Sequence, residues 1–371
     1  MRIEELKLKN FRNYSGAELA PDPEVNLFYG QNGSGKTNLL EAIHYTALGR
    51  SHRVTNDANV IRAGETDASS AVVIRNRLGL REVAIRFHPS QPQKKEILID
   101  RKRIQKLSDL MGCLCCVIFS PEDLDLIREG PLLRRRYLDM MISQVDRRYF
   151  TALQQYRVGL EQRNTILRNM RSNTGGDRSM LDVFEESMAR AAADIIRKRR
   201  EMTGILSEKA RDTYRRISGT DEAFSVAYRS SVREEDGMEE ALCRLYRENR
   251  EDDIRLGVTS AGPHRDDLVL SLNDHPMKLF ASQGQIRTGA LSLKLSQMDI
   301  LKELSGEDPV LLLDDVMSEL DRSRRASLIR EIHSFQTFIT CTDKDDLELD
   351  SVRKIWKVSS SGGMGTLEEE T

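Results

Sequence analysis

Residues 3–8 alternate apolar with polar positions, and Phe11 keeps the phase, which predicts a strand with one buried face. Residues 25–29 form a short apolar run. The Gly-rich stretch 30–37 follows, and Leu39, Leu40, Ile43 and Ala47 then recur at helical spacing over 38–48. The order is strand, loop, helix. Segments 70–76, 81–87 and 96–100 are rich in β-branched residues, show period-2 character and are punctuated by Pro and Gly, so an antiparallel region is expected there. From 131 to 216 helix formers and charges dominate. The run breaks once, at 172–176, which predicts two helices joined as a hairpin. Beyond it the pattern predicts a helix over 237–250, a strand over 266–272, a helix over 285–304, a strand over 310–313, a helix over 322–333 and a strand over 337–341.

The division that follows is discontinuous. Residues 1–125 and 256–358 form two halves of one α/β domain with a mixed sheet and an antiparallel β region. Residues 126–255 are a helical arm inserted between them. Residues 359–371, Ser/Gly-rich and then acidic, are expected to be a flexible tail.

Composition narrows the function classes. No run approaches the roughly 18–20 apolar residues that a membrane span requires. The N-terminus is charged from its second residue and has neither a signal peptide's apolar core nor a transit sequence's amphipathic pattern. A cytoplasmic protein without a membrane partner is expected. The five cysteines, Cys113, Cys115, Cys116, Cys243 and Cys341, are odd in number and lack CxxC spacing, which fits reduced thiols. Net charge is −2, so the overall field does not draw a polyanion. Any nucleic-acid contact must come from local clustering of cations.

The chemistry starts at Gly30-Gln31-Asn32-Gly33-Ser34-Gly35-Lys36-Thr37, which fits G-x-x-x-x-G-K-[ST] at every fixed position, with a strand before it and a helix after. The glycines let backbone amides approach phosphate oxygens. Those amides and the helix N-terminus bind the anion. Lys36 is expected to reach the β- and γ-phosphates of ATP, and the Thr37 hydroxyl to ligate Mg²⁺. Residues 309–315, Pro-Val-Leu-Leu-Leu-Asp-Asp, read as a core strand that delivers two acids at its carboxyl end, where α/β sheets bind ligands. Asp314 is the expected metal ligand. Asp315 is expected to polarise the attacking water, and its short reach predicts slow hydrolysis. Arg134-Arg135-Arg136, at a helix start where the dipole disfavours cations, needs a partner: either phosphate or nearby acids. The run Arg197-Lys198-Arg199-Arg200 reads either as a solvated helix face or as a set of contacts to DNA backbone.

Ala281-Ser282-Gln283-Gly284-Gln285 resembles the signature segment of ABC-type ATPases, matching at Ser282, Gly284 and Gln285. Ser318-Glu319-Leu320-Asp321 resembles that family's D-loop. Thr340-Cys341-Thr342-Asp343 resembles its switch segment, with Thr342 where His is usual. Residues 120–123 stand where a Q-loop belongs but contain no Gln. Transport ATPases place the signature far closer to the P-loop than Ser282 lies to Thr37. A long helical insertion resembles instead the SMC-type chromosome and repair ATPases, and the order of motifs resembles the RecF family among them. The motifs include Leu8-Lys9-Asn10-Phe11-Arg12-Asn13-Tyr14, Gly49-Arg50-Ser51-His52-Arg53 and Gly262-Pro263-His264-Arg265-Asp266-Asp267-Leu268. The resemblance implies an ABC-type P-loop ATPase head with a helical arm, and Arg12 and Arg53 near the nucleotide. Ser282, Gly284 and Gln285 would meet the γ-phosphate of a second copy. It further implies an ATP-dependent homodimer on duplex DNA at gaps or junctions, with weak ATPase activity. RecR and RecO would be partners and RecA would be loaded indirectly, in recombinational repair, replication restart and the SOS response. The competing readings are an ATPase subunit of a transporter and a P-loop kinase acting on a small molecule.

Overall fold

The computed structural model describes all residues except 55, 92, 176, 177, 233–236, 318, 319, 333, 345–351 and 371, and the side chains of 322 and 323. The chain divides into two compact units: a head, Met1–Leu124 with Lys209–Glu222 and Ser282–Thr371, and an arm, Asp125–Glu208 with Ala223–Ala281.

The head begins with β1 (Arg2–Phe11), β2 (Tyr14–Leu19) and β3 (Val25–Tyr29), then helix α1 (Lys36–Leu48). Strands β4 (Ala68–Asn76), β5 (Gly79–Phe87), β6 (Lys95–Ile99) and β7 (Lys102–Arg103) follow, then β8 (Cys116–Phe119). The expected antiparallel region is present as the sheet β2-β1-β4-β5-β6-β7. The arm supplies helices α2 (Asp125–Arg128), α3 (Pro131–Ser143), α4 (Arg147–Arg171) and α5 (Arg178–Ser218), whose last turns count with the head. It continues through β9 (Phe224–Arg229), α6 (Met238–Glu248), α7 (Arg250–Leu256), β10 (Asp267–Leu272), β11 (His275–Pro276) and α8 (Met277–Phe280). The head resumes with α9 (Gln283–Ser305), β12 (Val310–Asp314), α10 (Arg322–Ile332), β13 (Thr337–Cys341), β14 (Lys354–Ser361) and β15 (Met364–Glu370).

The second head sheet has the order β15-β14-β3-β13-β12-β8 and is parallel except at β15. Its central strands are fully buried, hence their continuous apolar runs. Phe28 on β3 lies between Phe338 on β13 and Trp356 on β14, at 6.2 Å centroid distance from each. Helix α1 packs against strands of both head sheets, so almost every one of its residues is buried. That is why its polar positions, Glu41 and His44 among them, carry no solvent face.

Two expectations about the division change. Residues 256–281 belong with the arm because β10 pairs antiparallel with β9 from Asp267↔Arg229 to Leu272↔Phe224. Residues 359–371 are not a loose tail over their described length. Gly362 and Gly363, both at positive φ (59° and 79°), form a two-residue turn that returns the chain as β15 along β14. The helical run 131–216 also breaks a second time, at Gln144, where Asp146 caps α4 through Tyr149 N–H at 2.9 Å. Among the described residues no helix is long and apolar enough to cross a membrane, and the five cysteines are free thiols, four of them buried.

Candidate nucleotide site

Parallel pairing brings the carboxyl ends of β3, β13 and β12 side by side. Residues 30–37 leave β3 there and enter α1. Gly30, Gly33 and Gly35 all have positive φ (155°, 79° and 116°). A Cβ on Gly30 would stand 2.0 Å from the Val358 carbonyl oxygen, and one on Gly35 would meet the Asn13 amide at 2.5 Å. A Cβ on Gly33 would meet nothing within 4 Å, so that residue faces open space and is glycine for its left-handed backbone. Asn13 donates to Ser34 O at 2.8 Å and accepts from Asn38 Nδ2 at 2.9 Å, and the Tyr14 hydroxyl donates to Gly35 O at 3.1 Å. Asn13 is itself held by β15, whose Gly365 N–H donates to Asn13 O at 2.9 Å. The C-terminal hairpin therefore braces the P-loop.

The loop fits a polyphosphate. Helix α1 starts at Gly35 with no side-chain cap and no acid in its first turn, leaving its positive end open. The Ser34 hydroxyl is buried with no partner among the described residues. The Lys36 ammonium donates to the carbonyls of Gly30 (2.6 Å) and Gln31 (3.1 Å) across the loop. Burial pulls its pKa below the ordinary lysine value, and the nearby charges of Asp315 and Asp314 oppose this.

The two acids arrive as expected. Asp314 Oδ1 accepts from the hydroxyls of Thr37 and Thr340, each at 2.8 Å. Burial raises its pKa, and those two hydrogen bonds work against the rise. A hydroxyl beside a carboxylate is a hard-oxygen pair suited to Mg²⁺, which takes few protein ligands and completes its shell with phosphate and water. Among the described residues there is no group of three or more His, Cys, Asp or Glu able to cage an ion. Asp315 has φ 53°, left-handed for a non-glycine residue. Its backbone N–H donates to Thr340 Oγ1 at 2.9 Å. Thr340 is expected only as the start of the switch-like segment, yet its one buried hydroxyl fixes both acids.

Arg12 and Arg53 converge on Glu41 of α1. Arg12 makes a two-pronged contact at 2.6 and 2.9 Å and also donates to Asn59 O, while Arg53 reaches Glu41 at 3.5 Å and Asn38 at 3.2 Å. Burial would raise the Glu41 pKa, but hydrogen bonds from Arg12 and Ser51 outweigh it and hold the carboxyl below its ordinary range. Arg12 thus stands beside the cradle with its guanidinium engaged by Glu41.

The signature segment forms the start of α9. Ser282 is its N-cap, with a full capping box: Ser282 Oγ accepts from Gln285 N–H at 3.3 Å, and Gln285 Oε1 accepts from Ser282 N–H at 2.7 Å. Gln285 also donates to Glu222 at 2.6 Å. Helix α9 is pinned at the β8 edge of the sheet, where Lys294 donates to Ile118 O at 2.9 Å and pairs with Asp123 at 2.7 Å. Ser282 and Gln283 are exposed. Two strands, β12 and β13, stand between β8 and β3, so β8 and the P-loop strand are three strand spacings apart, roughly 14 Å. Of the D-loop, Ser318 and Glu319 lie outside the described residues. Leu320 is buried, and Asp321 caps α10 through Arg324 N–H at 2.9 Å.

Of the arm cations singled out in the sequence, Arg134 and Arg199 are internal. Arg134 is buried in a forked pair with Asp267 (2.8 and 3.0 Å) and donates to Leu126 O and Glu129 O. Arg135 donates to Asp266 O at 2.7 Å. An acid, Asp267, resolves the helix-start conflict for Arg134, while Arg135 is held by a backbone carbonyl. Arg199 is buried against Asp139 at 2.7 Å and Pro263 O at 2.7 Å. Arg197 and Lys198 pair with Asp194 and Glu201 on the same helix. His264 accepts from or donates to Tyr156 through Nδ1 (2.7 Å) and bonds Thr259 O through Nε2 (3.0 Å), the packing role of a turn histidine.

The family described as RecF/RecN/SMC N terminal domain matches residues 2–364. The DNA replication and repair protein RecF of Ruminiclostridium cellulolyticum is 41% identical over 352 residues, covering 93% of this chain and 94% of that one. The RecF of Lactobacillus johnsonii is 40% identical over 370 residues, covering 97% and 98%. Among solved structures, the recombination mediator protein RecF with ATP, of the RecFOR pathway, superposes with a TM-score of 0.90 at 34% identity, covering 100% of this chain and 97% of that chain. An Smc head bound to the C-winged helix domain of ScpA shares the fold at a TM-score of 0.57 and 15% identity, covering 100% and 97%.

Proposed function

The chain belongs to the RecF/RecN/SMC family, and from that premise we propose that it is a DNA-bound switch in which ATP joins two copies. It is an ATP-binding protein of DNA replication and repair with an SMC-like ABC-type head. The transporter-subunit and small-molecule-kinase readings give way to that membership.

The observation that carries the switch is the placing of Ser282. It caps α9 in the open at the β8 edge, while the phosphate cradle leaves β3, two strands inside the sheet. An exposed helix N-terminus with a hydroxyl is an anion site. In this reading Ser282, Gly284 and Gln285 of one copy complete the γ-phosphate site of the other. Gly30–Thr37 would hold the triphosphate, with Thr37 and Asp314 binding Mg²⁺, which neutralises phosphate charge when present. Lys36 would exchange the two loop carbonyls for phosphate oxygens. Asp315, one methylene shorter than the usual Glu, would orient water weakly, making hydrolysis slow. A ligand that favours the closed pair shifts the equilibrium by its differential affinity for the two states.

The setting proposed is cytoplasmic: duplex DNA at gaps or junctions, RecO and RecR as partners, and RecA loaded indirectly onto the single strand. ATP turnover and self-association are to be measured with and without gapped duplex DNA. The reading predicts that DNA raises both. DNA leaving both unchanged would contradict it.

A further inference from the structure

The head has a second cationic feature, remote from the nucleotide loop. Residues 94–106, Lys-Lys-Glu-Ile-Leu-Ile-Asp-Arg-Lys-Arg-Ile-Gln-Lys, carry six cations and two acids, in a chain whose net charge is −2. Both acids are already paired with β5: Glu96 with Arg86 at 3.6 Å and Asp100 with Arg81 at 3.2 Å. Lys95 pairs with Asp57 at 2.6 Å and Arg101 with Glu82 at 3.4 Å, which leaves Lys94, Lys102, Arg103 and Lys106 without an ion-pair partner among the described residues. Asp100 and Arg101, at φ 50° and 64°, make the tight turn that sets Lys102 opposite Ile99 and Arg103 opposite Leu98.

This segment walls a cavity of about 220 Å³ with Gly49, Lys95, Arg103, Gln105 and Lys106 among its lining. Its floor is rigid. Gly49 ends α1 at φ 69°, and a Cβ there would meet Leu107 at 2.8 Å and Leu110 at 3.1 Å. Lys95 is held in place by the Gly49 carbonyl, by Asp57 at 2.6 Å and by the Tyr45 ring at 4.8 Å. Burial lowers its pKa, with the Asp57 hydrogen bond opposing. Arg103 and Lys106 are exposed at the mouth and have no ion-pair partner among the described residues. A fixed lysine at the base, two unpaired cations at the rim and side-chain amides between them form a receptor for an anionic oxygen cluster.

We infer that this cavity and the β6–β7 turn beside it bind the phosphate backbone of duplex DNA. The inference rests on the DNA reading above and supplies what that reading lacks, a basic surface. The arm candidates Arg134 and Arg199 do not supply one, since both are buried on acids. The cations lie on one short hairpin and the loop after it, so they can follow one strand of backbone. Their contacts are sequence-blind and add to salt dependence. The cavity lies at the C-terminal end of α1, the helix whose N-terminus receives the P-loop, a span of about 20 Å at 1.5 Å per residue. DNA here would leave the nucleotide loop free.

The test compares three full-length proteins binding a gapped duplex by fluorescence anisotropy across a salt series: the unsubstituted chain, the triple variant Lys102→Gln, Arg103→Gln, Lys106→Gln, and a control triple Arg178→Gln, Arg190→Gln, Arg255→Gln. The control removes three exposed arm charges. The cavity variant should bind about tenfold or more weakly, and its salt slope should fall by roughly one for each phosphate it no longer neutralises. ATP binding should be unchanged and the control near the unsubstituted value. If the unsubstituted chain binds DNA and the cavity variant matches it, or if both triples weaken binding equally, the inference is overturned. If the unsubstituted chain does not bind DNA at all, the DNA reading itself has failed.

Discussion

The Thr37 hydroxyl donates to Asp314 Oδ1 at 2.8 Å, joining two residues 277 positions apart. This one bond closes the gap between the phosphate loop and the carboxylate strand. It is possible because β13, the last of the three strands in chain order, lies between β3 and β12 and keeps their carboxyl ends level.

Thr340, on that middle strand, is the residue whose loss should be felt most. Thr340→Val keeps the shape and removes the hydroxyl that serves Asp314 and Asp315 together. An orphaned, partly buried N–H and a less restrained carboxylate cost about 1–3 kcal/mol. Thermal unfolding should show that loss for Thr340→Val, and Thr340→Ser should restore most of it along with Mg²⁺-dependent nucleotide binding.

Asp315 sits in a left-handed conformation, φ 53°, and such strain at an acid beside a phosphate loop points to a working residue. Asp315→Asn should leave ATP affinity within about twofold and slow single-turnover hydrolysis by roughly 10²-fold, the range of a positioned acid–base group. A rate that rose would remove Asp315 from the chemistry.

Strand β15 should matter to nucleotide binding although its own hydrogen bonds reach Asn13 and Tyr29 rather than an expected phosphate ligand. Its Gly365 N–H holds Asn13, and Asn13 holds the Ser34 carbonyl. Ending the chain after Ser361 removes β15. Fluorescent-nucleotide titration should then show about tenfold weaker binding, equivalent to losing about one hydrogen bond's worth of loop order. Unchanged affinity would show the brace to be idle.

How much of this was legible depends on the range of the contacts. The P-loop, the acid pair and the signature cap are local patterns whose chemistry follows from residue type and spacing. Strands β1, β3, β4, β5 and β6, and the buried runs β12 and β13, follow from periodicity, whereas nothing in the pattern predicts β2, β7 or β14. The hairpin was misjudged because Ser-Gly-Gly composition resembles a loose tail, and its exposed, acidic β15 has almost no apolar face. The signal was the Gly-Gly pair, read as a turn. Thr340 reads only as the start of the switch-like segment, because a threonine inside an apolar strand resembles β-branched packing. Only the pairing of β12 with β13 reveals that its hydroxyl faces Asp314. Arg134 and Arg199 looked like candidate DNA contacts because nothing local shows that Asp267 and Asp139 will face them.

Acid should weaken the arm through His264. Burial depresses its pKa to about 4 from an ordinary 6.5. Below pH 6.5 the unfolded chain takes up a proton that the folded chain refuses, so stability falls as pH drops from about 6.5 to about 4. The loss at pH 4.5 should be about 2 kcal/mol from this residue. Urea unfolding at pH 7 and pH 4.5 should show a smaller difference for His264→Gln than for the unsubstituted chain.

The central claim is that Ser282 serves the nucleotide of another copy, and Ser282→Asp isolates it. Aspartate caps a helix as well as serine does, so α9 should survive, but it sets a carboxylate where a phosphate is expected. Sedimentation velocity with ATP is the direct measurement. The account predicts a dimer for the unsubstituted chain, and for Ser282→Asp a monomer that still binds ATP with unchanged affinity. A Ser282→Asp protein that dimerises with ATP as readily as the unsubstituted chain would contradict it.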